Sequence, residues 1–238
     1  MTGPATETTY SGRDNLEAMK RATRYNGYLI DLIRRYAVGK RVLDHGAGAG
    51  TFARPVNSGE QVVVCLEPDD DLRAELAHSG LDTAAGFAEI PDGSIDYAYT
   101  LNVLEHIRDD SEAIASLYKC LRPGGRLLVY VPAFPVLYSS MDEHVGHFRR
   151  YRREALKQQL RAAGFEVSTA QYADSLGFFA TLVYKLIGDR SGRVSAGSVA
   201  FYDSVIFPVS RFIDMVSFGT FGKNLAVVAT RPADMSHD

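Results

Sequence analysis

Two short stretches of this chain carry the residue types best suited to chemistry. The first is VLDHGAGAGTF, residues 42–52, where Asp44 precedes Gly46, Ala47, Gly48 and Gly50. Alternating glycines let a backbone turn sharply and approach a ligand closely. A tight strand-to-helix turn is the plain structural alternative. A dinucleotide fingerprint, G-x-G-x-x-G, would place Thr51 where its third glycine belongs, and the Gly-Lys-Ser/Thr of a phosphate loop is absent. An anion just ahead of the glycines repels a pyrophosphate and suits a ligand carrying an ammonium or sulfonium. The second stretch is MDEHVGHFRRYRREAL, residues 141–156, which crowds Asp142, Glu143, His144 and His147 into six residues. A histidine titrates near neutral pH and is the natural base for an oxygen or nitrogen nucleophile, so His144 and His147 are the candidate catalytic residues. A hydrogen-bonded turn is the alternative. Helix-spaced His-x-x-x-His is missing, and no metal is expected.

Elements must position these residues. Residues 14–37 read as a helix, broken near Asn26-Gly27, with Gly39 as its C-cap. Short buried strands follow: RVLDH, QVVVCLE and a brief one at 83–85. IDYAYTL, RLLVYVP, FEVSTAQ and the closing NLAVVAT complete the set. Helices are expected from Thr51 and over 69–79, 110–120 and 151–163, with Pro123-Gly124-Gly125 as a turn before the fifth strand. Strands alternating with helices predict a doubly wound, Rossmann-like α/β sheet with right-handed crossovers. About 50 residues separate the sixth strand from the seventh. Structureless loops of that length are rare, so residues 172–222 read as an inserted helical segment.

Composition narrows the function classes. A chain of 238 residues with 46% hydrophobic and 23% charged side chains is ordinary globular material. Net charge is −3 with pI about 6.1, against the basic balance of a dedicated nucleic-acid binder. Cys65 and Cys120 sit in apolar runs and read as buried thiols of a reducing, cytoplasmic compartment. The N-terminal residues lack a basic region and an apolar stretch, so no signal peptide is expected. The apolar windows 176–187 and 205–218 are interrupted by Lys185, Arg211 and Asp214, short of a spanning helix.

The Asp44–glycine stretch resembles motif I of the class I S-adenosylmethionine (SAM) methyltransferases, and residues 40–165 extend the likeness. Glu67 ends the second strand, 23 residues after Asp44. SIDYAYTLNVLEHI, 94–107, matches the motif at the fourth strand, and LRPGGRLLVYVP, 121–132, the loop and fifth strand of the type 11/12 members. The resemblance implies a seven-stranded sheet with an antiparallel last strand. It also implies that Asp44 fixes the ligand's amino group and Gly46–Gly50 lie under its methionine part. Glu67 takes the ribose hydroxyls, and Asn102 and Val103 line the methionine side. Many relatives place Asp where Phe87 stands, so adenine stacks on Phe87 or bonds to the backbone of Ala88. Asp96 reads as a capping residue, and His106, after Glu105, as a packing or cofactor-shell residue.

The resulting expectation is a SAM-dependent methyltransferase acting on a small, apolar or amphipathic acceptor at oxygen or nitrogen. A nicotinamide-dependent reductase, a non-catalytic SAM-binding protein and an RNA acceptor are the alternatives. The predicted organisation is an N-terminal helical segment or lid, 1–38; a SAM-binding core, 39–171 plus 223–232; and a substrate lid, 172–222. Phe178, Phe179, Tyr184 and Phe201 would line the acceptor pocket. The Arg149, Arg150, Arg152 and Arg153 run reads as a solvated helix start or as a clamp for an anionic substrate group. The inserted segment reads as core, as pocket lining or as a peripheral membrane contact.

Overall fold

The chain folds around a seven-stranded sheet in the order β3-β2-β1-β4-β5-β7-β6, in a computed structural model that describes residues 22–187, 196–217 and 219–233. The strands are β1 (Arg41–His45), β2 (Val62–Leu66), β3 (Asp82–Ala84), β4 (Ile95–Leu101), β5 (Leu121–Pro132), β6 (Glu166–Ala173) and β7 (Asn224–Thr230). β1 to β5 pair in parallel, and β7 runs antiparallel to both β5 and β6. The near-continuous apolar runs of β1 and β2 fit strands covered on both faces.

Helices supply that cover. They are α1 (Thr23–Tyr36), α2 (Ala53–Val56), α3 (Asp70–His78), α4 (Asp110–Cys120), α5 (Ser140–His144) and α6 (Arg153–Ala162). Ile114 and Leu117 of α4 and Leu156 and Leu160 of α6 pack on one face. Leu29 and Ile33 of α1 and Leu76 of α3 pack on the other. Side-chain caps start α3 and α4, where Asp69 accepts from the amides of Asp71 and Leu72, and Asp109 from that of Glu112.

Four local expectations are corrected. α1 runs unbroken through Asn26-Gly27, because Tyr25, Leu29 and Ile33 bury one continuous stripe; the earlier part of that predicted helix lies outside the described residues. Its end is at Tyr36, with Ala37 already extended, so Gly39 is not the C-cap. Gly39 instead holds φ +66° where a Cβ would collide with Asp96. The helix expected from Thr51 is a single turn beginning at Ala53. Pro123-Gly124-Gly125 is a bulge within β5 and not a turn before it. Ile95 pairs with Leu121 and Tyr97 with Arg126, and Gly124 and Gly125 bond to the backbone of Arg231.

The segment between β6 and β7 folds as α7 (Ser175–Ile187), α8 (Ala196–Phe201), a π-helical stretch (Tyr202–Ile206) and α9 (Phe207–Val216). Buried carboxylates tie it down. Asp174 accepts from the Ser210 hydroxyl at 2.9 Å and from Tyr202. Asp214 accepts from the amides of Asp174 and Ser175 at 2.8 and 2.9 Å. Asp203 accepts from the amides of Arg24 and Tyr25 at 3.0 and 2.8 Å, capping α1 from 178 residues away.

Candidate functional site

The carboxyl ends of β1, β2, β4 and β5 open on one edge, where ligands of open α/β sheets bind. β1 delivers Asp44 there, and the glycine turn follows. The amides of Gly46 and Ala47 bond to the Leu66 carbonyl at 2.9 and 3.2 Å, fastening the turn to β2. Gly46, Gly48 and Gly50 all hold positive φ. A Cβ at Gly46 would fall 2.5 Å from Val103, so the glycine lets the turn press against the end of β4. Above Gly48 nothing lies within 4 Å of where a Cβ would stand, leaving open space on that side of the loop.

Two carboxylates flank this space. Asp44 is buried, and its Oδ2 has no hydrogen-bond partner. Burial pushes its carboxyl up to about 7, against the Tyr99 hydroxyl and with the charge of Glu67 adding to the rise. Such an oxygen is costly to leave unpaired and suits a cationic partner. Glu67 accepts from the Gly48 amide at 2.7 Å and the Asp69 amide at 3.0 Å. Each carboxylate oxygen still has acceptor capacity for a hydroxyl. Phe87 stands half-buried, its ring 5.1 Å from that of His45, and Ala88 is exposed beside it. Asn102 leaves β4 at φ +54°, its amide bonded to the Tyr130 carbonyl at 2.7 Å. The predicted ligand residues therefore gather at one edge of the sheet. Asp96 does not join them: it accepts from the amides of Lys40 and Arg41 at 2.8 and 2.9 Å, at the opposite end of β1.

A second cluster joins the segments after β4 and β5. His147 Nδ1 lies 2.7 Å from Asp142 Oδ1, and its Nε2 3.8 Å from Glu105 Oε1. Arg150 donates its Nε to the same Asp142 oxygen at 2.8 Å. Burial works against ionisation of Asp142, but the bonds from His147 and Arg150 hold its carboxyl below the usual range. Glu105 is fully buried with neither oxygen hydrogen-bonded. Burial drives its carboxyl to about 8, opposed by its own backbone amide and the Arg150 charge and assisted by Asp142. The His106 ring packs edge-on against His147 at 4.6 Å; burial lowers its pKa to about 4, and His147 adds to the fall. One ligand atom each from Glu105, His106 and His147 lie within 4.8 Å of one another, the one described set able to hold a metal ion. His144 ends α5 half-buried and takes no part in the Asp142 contacts described.

Two site expectations change. Arg150 is buried on Asp142, and Arg149 pairs with Asp110 at 2.9 Å, so neither is a solvated helix residue nor a free clamp. The predicted pocket aromatics gather only in part. Phe178 and Phe179 meet edge-on at 5.5 Å and both pack on Phe221, with Phe178 also on Phe134, whereas Phe179 keeps half its surface exposed and Phe201 faces solvent. The rings gathered near the crevice are instead Tyr25 and Tyr28 of α1, Tyr130 of β5 and Phe207 of α9, with Tyr25 also beside Asn102. Sequence reading missed them because they come from three distant parts of the chain, Tyr25 and Phe207 lying 182 residues apart. The buried Glu105 and the Asp142–Arg150 pairing were likewise invisible in spacing. A cleft of about 410 Å³ lies elsewhere, between α1, α9 and the β6–β7 strands, lined by Tyr28, Tyr172, Arg35 and Arg211.

Comparison with known proteins places this geometry. A family model described as a methyltransferase domain matches residues 19–170, more than half of the chain. A probable S-adenosylmethionine-dependent methyltransferase of Mycolicibacterium smegmatis is 30% identical over 148 residues, 59% of this chain and 56% of that protein. An O-methyltransferase of Aspergillus nomiae is 33% identical over 129 residues, 49% of this chain and 56% of its own length. The chain thus spans about half the length of these curated relatives. The structure of Haemonchus contortus phosphoethanolamine N-methyltransferase 2 in complex with S-adenosyl-L-methionine shares the fold. Its TM-score is 0.64 at 16% identity, covering 97% of this chain and 61% of that one. The edge built here fits that cofactor: an orphaned buried carboxylate for an ammonium, a glycine turn with open space above it, and a second carboxylate alongside. The chain belongs to the S-adenosylmethionine-dependent methyltransferases.

Proposed function

We propose that this member of the family transfers a methyl group from SAM to an oxygen or nitrogen of an amphipathic small molecule. The observation that carries the reading is the buried Asp44 carboxyl, which keeps an unpartnered oxygen at the end of the strand that leads into the glycine turn. Asp44 holds the amino group of the cofactor, the Gly46–Gly50 backbone underlies its methionine part, and Glu67 takes the ribose hydroxyls. Phe87 and Ala88 face the adenine, and Asn102 and Val103 close the methionine side. When bound, SAM supplies a methyl group already activated on a sulfonium. The protein's task is then alignment, which can supply roughly 7–11 kcal/mol, and removal of the acceptor's proton.

His147 is the base in this proposal, ahead of His144, because Asp142 fixes its Nδ1 and so sets tautomer and ring orientation. Glu105 stands 3.8 Å from the other ring nitrogen, the one that takes the proton. Residues 1–38 and 172–222 act as the two sides of a lid over a core formed by 39–171 and 223–232. Tyr25, Tyr28 and Phe207 contribute the water-excluding rings. Cys65 and Cys120 are free and buried, which suits a reducing cytoplasmic setting.

The test adds enzyme and methyl-labelled SAM to an organic extract and, separately, to RNA. Label entering an amphipathic small molecule, and at least a hundredfold less with His147→Ala, is the expected result. Label entering only RNA, or none in any fraction, overturns the reading.

A further inference from the structure

Twelve large apolar side chains are exposed among the described residues, and nine of them fall between Phe179 and Val216. They are regularly placed. On α7, Phe179, Val183 and Leu186 recur at i, i+4 and i+7, between 51% and 72% exposed. Across α8, the π-helical stretch and α9, Phe201, Val205, Val209, Phe212 and Val216 recur at steps of three or four. Each row is therefore one helical face. α7 and α9 pack against each other through Leu176 and Ser210. Val136, also exposed, adjoins this face, because its carbonyl accepts from Lys185 at 2.7 Å. Monomeric proteins seldom expose contiguous apolar surface on this scale without using it.

Charge tells what covers it. The segment's three described carboxylates, Asp174, Asp203 and Asp214, are all buried and consumed by the internal bonds given above. Among the described residues the segment's exposed charge is a cation, Lys185, and Arg211 is half-exposed, paired with Asp214 at 3.5 Å and lying over the Tyr28 ring; neighbouring α1 adds the exposed Arg24 and, two turns on, Asp31. An apolar face edged by cations and free of carboxylates complements an anionic lipid surface. A second copy of the chain fits worse, since a two-fold pairing would bring these cations together with no exposed carboxylate of the segment to meet them.

We propose that the outer face of α7–α9 docks on an anionic membrane surface, lying in the interface without spanning it. No described helix is long and apolar enough to cross a bilayer. The surface belongs to the segment whose Asp203 and Phe207 seat α1 beside Tyr130. Docking would thus set the acceptor side of the crevice against the lipid, which rests on the function proposed above.

Vesicle co-sedimentation tests it, using full-length protein with phosphatidylcholine alone or mixed with phosphatidylglycerol. Binding to the anionic vesicles, at least tenfold weaker to the neutral ones and weakened by 0.5 M salt, is expected. Phe201→Glu/Phe212→Glu should lose it at least tenfold, with unchanged SAH affinity and melting temperature in solution. Lys185→Glu/Arg211→Glu, a second variant, should lose the preference for anionic lipid. Wild-type protein that ignores both vesicle types, or a concentration-dependent dimer abolished by the Phe variant, overturns the docking. Failure of SAH binding in the wild type would instead overturn the methyltransferase reading, independently of the vesicles.

Discussion

Asp44 offers the sharpest consequence of the site. Its carboxyl is raised by burial to about 7 in the free protein. A ligand that places an ammonium against it needs the carboxylate form, so binding must be coupled to loss of a proton. With a pKa of about 7, roughly 9% of the group is ionised at pH 6 and roughly 76% at pH 7.5. SAH affinity should therefore rise about eightfold between those values. Asp44→Asn should remove this slope and lower affinity at pH 7.5 at least tenfold, the worth of one hydrogen bond to a charged group. Stability moves with it. A carboxyl raised in the folded state stabilises fully below its unfolded value near 4 and loses that contribution as pH climbs through 7. The free enzyme should thus soften between pH 4 and 7, and SAH should restore more of its melting temperature at pH 7.5 than at pH 6. Calorimetric titration in buffers of different ionisation enthalpy measures the affinity and the released proton together. A flat affinity with no proton released would refute the reasoning.

The remaining predictions concern the partners of that site. Glu67→Ala should weaken SAH at least tenfold by removing two charge-assisted bonds to the ligand, and should loosen the turn through loss of the Gly48 contact; unchanged affinity by calorimetry would sink the assignment. His147→Ala should lower kcat by about 10²–10⁴ with SAH binding intact, and Asp142→Asn should follow it; near-normal turnover in both, with His144→Ala as a control, leaves alignment as the only catalytic device. Glu105 is raised by burial to about 8, so its contribution to stability is lost as pH rises from its ordinary value through 8. Glu105→Gln should flatten that decline and melt above the wild type at pH 9. A steeper fall in the variant would show that a cation already neutralises Glu105.

Most of the fold was legible in local pattern. The buried runs of β1 and β2, the helices over 69–79 and 110–120 and the closing NLAVVAT strand announced themselves through periodicity and end chemistry. Asp44, the glycines and Glu67 were readable because strand ends and a turn only 23 residues apart bring them together. What pattern could not reveal depends on distant partners. Gly27 reads as a helix breaker, yet Asp203 caps that helix from the other end of the chain. The Pro123-Gly124-Gly125 turn becomes a bulge only because Arg231 bonds to both glycines. Arginines 149 and 150 look solvated in sequence, and only the fold reveals Asp110 and Asp142 waiting for them. The aromatic residues of 172–222 carry no local sign of which face inward; Phe207 turns in to Tyr25, and Phe201 and Phe212 turn out.

The central claim is that the edge formed by Asp44, the glycine turn and Glu67 is a SAM site. A crystal structure grown with SAH tests it most directly. The account predicts the amino group of SAH bonded to Asp44, directly or through one water, and both ribose hydroxyls on Glu67. SAH seated instead in the cleft of Tyr28, Tyr172 and Arg211, or an edge that binds NADPH and leaves SAH in solution, would contradict it.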